Sequence, residues 1–551
     1  MRKKMYVMLL AVMLFSLSGC GGQKEEKKIM NDAKTAEPKL FDAESIQGIS
    51  EKNRVDMDEL IRSVNTYEKE NELDYKAGER ETCHAVSYKM SLQLQQETKK
   101  IAGTVQITLE NHTKNDLYEI CIRNYAGSIL KKQGKGESEI FQYKVNGRRE
   151  GLALKKKKKD PSVLYLRSEN VLLPAGGSAD VYLEFDTSIP KKKERFGYIV
   201  YDKKEFYQLS FCFPCASVYE DGKWNENPYI SSDSESNYAK CADYDVTVQV
   251  PDGFTVMASG RENVEGQTVQ IKGSQMRELA MVVSNGLKKK TGSVKGITVN
   301  CYGLDYDKNE AYHSLMLQAA MDSVELFTDL IGVYPYKEYD VVLSFIEGGM
   351  EYPGMVMVGL PDMDPKEYKN LDRAAPYDLE RCSCVAHETA HQWFYGAVGN
   401  DPYRQPWLDE SFAEYCENML YLQSGKKSVA HCVNKNDQKD TDTKGRFSKK
   451  EFDEWMEIVL DQIVIEKPVD GRLDSYDISE NEYSKAVYDN GSYFLYELQK
   501  TMGSNKFFHA LRTYYKAYSL KEATKEDFFG VIRKADGSPK VENVIKKYTA
   551  G

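Results

Sequence analysis

The stretch Val385-Ala386-His387-Glu388-Thr389-Ala390-His391-Gln392-Trp393 decides how this chain is read, together with Trp407-Leu408-Asp409-Glu410-Ser411-Phe412-Ala413-Glu414, where Glu410 stands nineteen residues past His391. On a helix, residues four apart lie one above the other, so His387 and His391 can hold one metal ion between them while Glu388, one step round, reaches the open coordination position. Catalytic zinc takes three protein ligands and leaves one position for water. Two satisfied core histidines on an amphipathic helix are the alternative. With seven histidines in 551 residues a chance H-E-x-x-H is rare, and the spacing to Glu410 makes it rarer.

A second helix is predicted over Asp409 to Leu422, where Phe412, Ala413, Met419 and Leu420 interleave with Glu414 and Glu417. It would bring Glu410 in as the third ligand from a neighbouring helix. Glu414, one turn further, could accept a hydrogen bond from the free ring nitrogen of a ligand histidine, fixing its tautomer. Upstream, Val341-Val342-Leu343-Ser344-Phe345 reads as a buried strand, followed by the turn Gly348-Gly349 and a second extended run, Met355-Val356-Met357-Val358.

Three motifs now stand in order over about 140 residues: Gly348-Gly349-Met350-Glu351, the segment Cys384 to Tyr415, and Tyr488-Asp489-Asn490-Gly491. Together they resemble the zinc aminopeptidases related to aminopeptidase N and the leukotriene-A hydrolases, the gluzincin metallopeptidases. The resemblance implies one zinc ion held by His387, His391 and Glu410, with Glu388 as general base and Tyr488 donating to the oxyanion of the tetrahedral intermediate. Tyr483 is a possible neighbour of that pocket. It also implies that Gly348, Gly349 and Met350 bind substrate, at an edge strand against which an extended peptide lies, and that Glu351 meets a free N-terminal ammonium. The implied partners are peptides with a free N-terminus, and the expected state is a monomer. In relatives the N-terminal domain adds a Gln or Glu to the amine end; Gln208 and Glu205 are candidates. The chain departs from the common pattern at Tyr352, where many members carry asparagine, and at Ser411, where many carry glycine.

The remaining chain bounds this reading. Arg2, Lys3 and Lys4, the apolar run Met5 to Phe15 and Leu17-Ser18-Gly19-Cys20 resemble a bacterial lipoprotein signal, with Cys20 as the lipidated first residue of an exported protein held at the outer face of the cell membrane. The apolar run is shorter than the ~20 residues of a transmembrane helix. The net charge is −10, and loss of Arg2, Lys3 and Lys4 with residues 1–19 brings it to −13, which argues against a nucleic-acid partner. The lysine runs 155–159, 191–193 and 288–290 read as solvated loop lysines, with local attraction to anionic lipid or wall polymer as the alternative. Ten cysteines follow Cys20 without the spacing of a compact disulfide framework, and Cys212-Phe213-Pro214-Cys215 lacks a second pair at zinc spacing.

Composition and periodicity divide the chain into a signal (1–19), a tether with a short helix around Met57 to Val64 (20–82), a β domain (83–303) and a catalytic domain (304–551). Period-two runs such as Val86, Tyr88, Met90, Leu92, Leu94 and Tyr244, Val246, Val248, Val250 predict a mostly antiparallel β domain. From Leu317 the spacing becomes helical, and Gly332 and Pro335 mark its stop. The expected fold is therefore α+β, an N-terminal antiparallel β domain followed by a mostly α-helical domain that is thermolysin-like by resemblance. By resemblance the chain lacks the large helical C-terminal domain of many relatives. Asn434 to Lys450 reads as a polar surface loop. Two other functions remain open: a zinc endopeptidase, and a catalytically inactive peptide-binding lipoprotein.

Overall fold

The computed structural model describes residues 43–230, 237–374, 378–420, 428 and 449–550. The signal with Cys20, most of the tether and nearly all of the segment 434–450 lie outside the described residues. Among those described, no helix is long and apolar enough to cross a membrane.

The first half is β-rich and the second half carries most of the helices, an α+β arrangement. The long strands Cys83–Gln95 and Lys100–Asn111 alternate as their sequence predicts, with Met90 opposite Val105 and both buried. They lie at the centre of a nine-stranded sheet whose ladder runs from Arg261–Glu265 through Thr268–Met276, Ala242–Gln249, Cys83–Gln95, Lys100–Asn111 and Ser178–Ser188 to Ser138–Val145. Its pairings are antiparallel except Cys83–Gln95 with Ala242–Gln249, which run parallel. Two four-stranded sheets complete this half.

A five-stranded sheet floors the second half, in the order Leu287–Val294, Ile297–Leu304, Glu338–Ser344, Met355–Gly359, Gly349–Tyr352. The hairpin 287–304 therefore lies in one sheet with Glu338–Ser344 and Met355–Gly359. Its alternating pattern resembles that of the preceding strands, and only the parallel pairing of Ile297–Leu304 with Glu338–Ser344 assigns it. Gly349–Tyr352 is the edge strand, paired on one side with Met355–Gly359. Helix Glu310–Leu330 packs on this sheet and on helix Asp378–Ala390, which carries the H-E-x-x-H motif. Trp393 seals the far end of that helix, its ring against Phe327 and Tyr334 and its Nε1 donating to the Gly332 carbonyl at 2.9 Å.

The N-terminal helix is longer than expected. It spans Ala43–Glu70 and so begins inside the segment read as tether. Met57 and Val64 are buried in the helical core and Arg512 bonds Asn65 and Glu68, so the helix docks on the C-terminal half. Tertiary packing stabilises a polar helix that its own propensity leaves marginal.

The two halves are joined by a buried ionic clamp. Arg277, 1% exposed, donates to the carbonyls of Tyr395, Ala397 and Lys521 and pairs with Glu522 Oε1 at 2.6 Å, while Lys240 pairs with Glu522 Oε2. A Cβ on Gly399 would run into this guanidinium, which explains the glycine. Burial alone would raise the Glu522 carboxyl, but the charges of Arg277 and Lys240 outweigh it and hold it down at about 2. A carboxylate depressed in the folded state contributes stability that is complete above its ordinary value of 4.5 and lost as pH falls toward 2. Glu522→Gln is thus expected to cost about 3–5 kcal/mol at pH 7, with the gap to wild type narrowing below pH 4.5. Denaturant unfolding at pH 7, 5 and 3 measures this, and a gap independent of pH would remove the ion pair from the account.

Candidate metal centre and active site

Helix Asp378–Ala390 presents His387 and Glu388 in its last turn, and His391 follows directly, its N–H still directed at the His387 carbonyl at 3.4 Å. Helix Trp407–Asn418 crosses it and supplies Glu410. The Nε2 atoms of His387 and His391 lie 3.2 and 3.3 Å from the same oxygen, Glu410 Oε2. Two donors about 2.0–2.1 Å from a tetrahedral zinc stand about 3.3–3.4 Å apart, so these three side chains fit the ion.

The surroundings fit it as well. His391 Nδ1–H donates to the Phe394 carbonyl at 3.2 Å, which leaves Nε2 as the ligand atom. His387 Nδ1 lies 3.6 Å from Glu414 Oε2 and 3.3 Å from Glu417 Oε2. Glu417 is therefore the closer of the two orienting carboxylates, and the sequence reading missed it although Glu410, Glu414 and Glu417 repeat along one helix face. Burial lowers the affinity of His391 for a proton, yet the charges of Glu351 and Glu410 reverse this and carry it up to about 9. Negative charge exceeds positive charge in the pocket, as a cation site requires.

Glu388 is buried, and its Oε2 has no hydrogen-bond partner among the described residues. Burial first and the charge of Glu351 second push its carboxyl up to about 8. A carboxyl poised near neutral pH can both accept and return a proton. Glu351 is 4% exposed on the edge strand, and one ligand-capable atom from each of Glu351, Glu388 and His391 lies within 4.8 Å of the others. Gly348 turns the chain into this strand at a φ of 64°. A Cβ on Gly349 would fall 2.5 Å from Glu388 Cδ, so glycine is what lets the strand pass the carboxyl.

Tyr488 is half-buried in a π-helical turn, Ser484–Asp489, its ring stacked on His387 with 5.8 Å between centroids and its hydroxyl hydrogen-bonded to Glu410. Wide turns of this kind recur at functional sites. Tyr483 packs edge-on against it at 5.7 Å. Ser411 donates to the Val487 carbonyl in that turn at 2.5 Å and lies where a Cβ on Gly491 would be. The serine thus ties the Glu410 helix to the Tyr488 turn. Tyr352 is buried and hydrogen-bonds Ser210 through its hydroxyl, joining the edge strand to the β half.

Both amine-site candidates from the β half have hydrogen-bond partners of their own. Glu205 is engaged by Lys99 and Tyr207, and Gln208 by Ser344, the Phe345 amide and the Glu194 carbonyl. That half instead brings Arg195, whose Nη1 stands 3.0 Å from Met350 Sδ and whose charge reaches Glu351, and Glu278, bonded by Tyr395 and Asn237. No sequence motif marks either residue. Cys384, Cys212 and Cys215 are free thiols. Burial pushes Cys384, Cys212 and Cys215 up to about 12, which suits packing rather than reactivity.

Residues 316–548 match the peptidase family M1 domain. The M1 match therefore contains both helices of the metal site and the Tyr488 turn. The chain is 25% identical over 349 residues to aminopeptidase M1-B of Oryza sativa subsp. japonica, covering 61% of this chain and 35% of that protein. It is 24% identical over 374 residues to aminopeptidase N of Haemonchus contortus, covering 64% and 36%. The chain thus spans about a third of the length of these relatives. An M1 zinc metallopeptidase from Deinococcus radiodurans shares the fold at a TM-score of 0.55 and 15% identity, covering 85% of this chain and 94% of that one.

Proposed function

We propose that this chain is a zinc-dependent aminopeptidase that removes residues from the free N-terminus of short peptides, exported and held at a membrane face through Cys20. The observation that carries the reading is the placement of Glu351 beside the metal ligands, with ligand-capable atoms of Glu351, Glu388 and His391 within 4.8 Å of one another. An α-ammonium nitrogen lies only about 2.5 Å from its own carbonyl carbon. A peptide whose ammonium rests on Glu351 therefore presents its first peptide bond, and no later one, to Glu388.

His387, His391 and Glu410 would hold the zinc, which when bound lowers the pKa of a water and polarises the scissile carbonyl. The peptide main chain pairs with the free side of strand Gly349–Tyr352, an interaction indifferent to most side chains. Glu388 takes a proton from the attacking water on Oε2 and returns it to the departing amine nitrogen. Tyr488 turns its hydroxyl from Glu410 to the oxyanion as charge develops there. Arg195 and Met350 border the amine end, where they bear on the first side chain.

The test compares aminoacyl chromogenic amides with their N-acetylated counterparts. The wild type is expected to cut only the free amides, in a chelator-sensitive way. Glu351→Ala should lower kcat/KM for them by about 30- to 10³-fold, the cost of leaving a buried charge unpaired. Equal cleavage of free and blocked substrates, before and after the substitution, would point to an endopeptidase. Zinc bound without any cleavage would point to a peptide-binding protein.

A further inference from the structure

A second carboxylate cluster stands apart from the active site, at the joint between the two halves. Glu338 and Asp340, two apart on strand Glu338–Ser344, share one face of it, and Glu262 reaches them from strand Arg261–Glu265 of the β half. One carboxylate oxygen of each lies within 4.8 Å of one of each of the others. Asn300, register partner of Asp340, donates from Nδ2 to Glu338 Oε1 and to Asp340 Oδ1, both at 2.7 Å, and is itself fixed by the Thr291 hydroxyl. The Ala258 amide donates to Glu262 Oε1 at 2.6 Å. One oxygen of each carboxyl is thereby anchored.

The decisive atom is Asp340 Oδ2. Asp340 is 2% exposed, and this oxygen has no hydrogen-bond partner among the described residues. A buried acceptor without a partner costs about 1–3 kcal/mol, more if charged, unless a ligand satisfies it. Lys289, whose charge reaches Glu262 and Asp340, is drawn instead over the Tyr302 ring, 5.3 Å from its centroid. Three carboxyls against one lysine leave excess negative charge. Burial, reinforced by neighbouring carboxylates, pushes Glu262 up to about 7 and Asp340 well above its ordinary value.

We propose that Glu262, Glu338 and Asp340 bind a calcium ion that fastens the β half to the catalytic sheet behind the substrate strand. All the donors are oxygen, which suits calcium and not the softer metals. Glu262 and Glu338 are only partly buried, so water can enter and fill the remaining positions. The site also has a line to the substrate strand. Asp340 N–H donates to the Gly354 carbonyl at 2.9 Å, and Gln392 holds the Gly354 amide and the Tyr352 carbonyl at 2.7 and 3.0 Å. Calcium would therefore steady the turn that returns strand Gly349–Tyr352 to the sheet.

The test uses the zinc-loaded full chain, read by thermal unfolding and calorimetric titration with CaCl2, with MgCl2 in parallel. For the affinities of about 10⁻⁴ M found in extracellular sites, 10 mM calcium should raise the midpoint by roughly 2–3 °C, with one ion bound per chain. Asp340→Asn and, at the partly exposed position, Glu262→Gln should each abolish the shift. A chain without calcium-dependent stabilisation between pH 6 and 8, one stabilised equally by magnesium, or a Glu262→Gln variant that keeps the full shift would overturn the proposal. The first of these outcomes would mean that the cluster shares protons.

Discussion

Glu388→Gln is expected to reduce kcat toward the upper end of the roughly 10²–10⁴-fold range of a lost general base, with one zinc still bound per chain. The separation of the two effects follows from the geometry. The ligand atoms of His387 and His391 converge on Glu410 Oε2, and Glu388 contributes nothing to that convergence. Its own Oε2 has no hydrogen-bond partner among the described residues and its proton affinity is raised by burial, the condition of a group that works on protons. Glutamine keeps the volume and loses the acceptor charge. KM for a free aminoacyl amide should change little, because in the proposed function Glu351 and the edge strand do the holding. Metal analysis beside steady-state kinetics decides the matter. A variant that loses zinc in step with activity would make Glu388 a structural support of the site.

The core of this site could be read from the chain because its information is local. Four-residue spacing stacks His387 on His391, and a helix starting at Trp407 carries Glu410 on the face that meets them. The alternation in Cys83–Gln95 and Lys100–Asn111 is likewise local, set by one buried and one wetter face. What was not legible depends on how distant elements cross. The helix Ala43–Glu70 has a polar composition that suggests a tether, and only its contact with the C-terminal half explains its length. The hairpin 287–304 alternates like any β-domain strand, and its sheet is decided by a parallel partner more than thirty residues away. The choice between Glu414 and Glu417 turns on the angle at which two helices cross, which no periodicity fixes. Gln208 and Glu205 were reasonable by residue type, but hydrogen bonds from strand ends and a neighbouring lysine had already engaged them. Glu262, Glu338 and Asp340 come from two strands about eighty residues apart, with no spacing to announce them.

The second large effect is expected at a residue without any chemistry of its own. A methyl group at Gly349 would lie 2.5 Å from Cδ and 2.6 Å from Cγ of Glu388, both shorter than real Cβ contacts allow. The strand cannot yield easily, since Met350 and Tyr352 beside Gly349 are buried and Tyr352 is tied to Ser210 and Gln392. Glu388 must therefore turn away, and a displacement of about 1 Å at a reacting group can cost roughly 10²-fold in rate. Gly349→Ala should lower kcat by about that factor with zinc content and unfolding midpoint close to wild type. Gly348→Ala provides the contrast. That position has a φ of 64° and nothing within 4 Å of where its methyl would stand, so its cost is backbone strain of about 1 kcal/mol, felt in stability with little change in kcat. Equal kinetic losses in the two variants would mean that the turn as a whole, and not the approach of Gly349 to Glu388, governs the reaction.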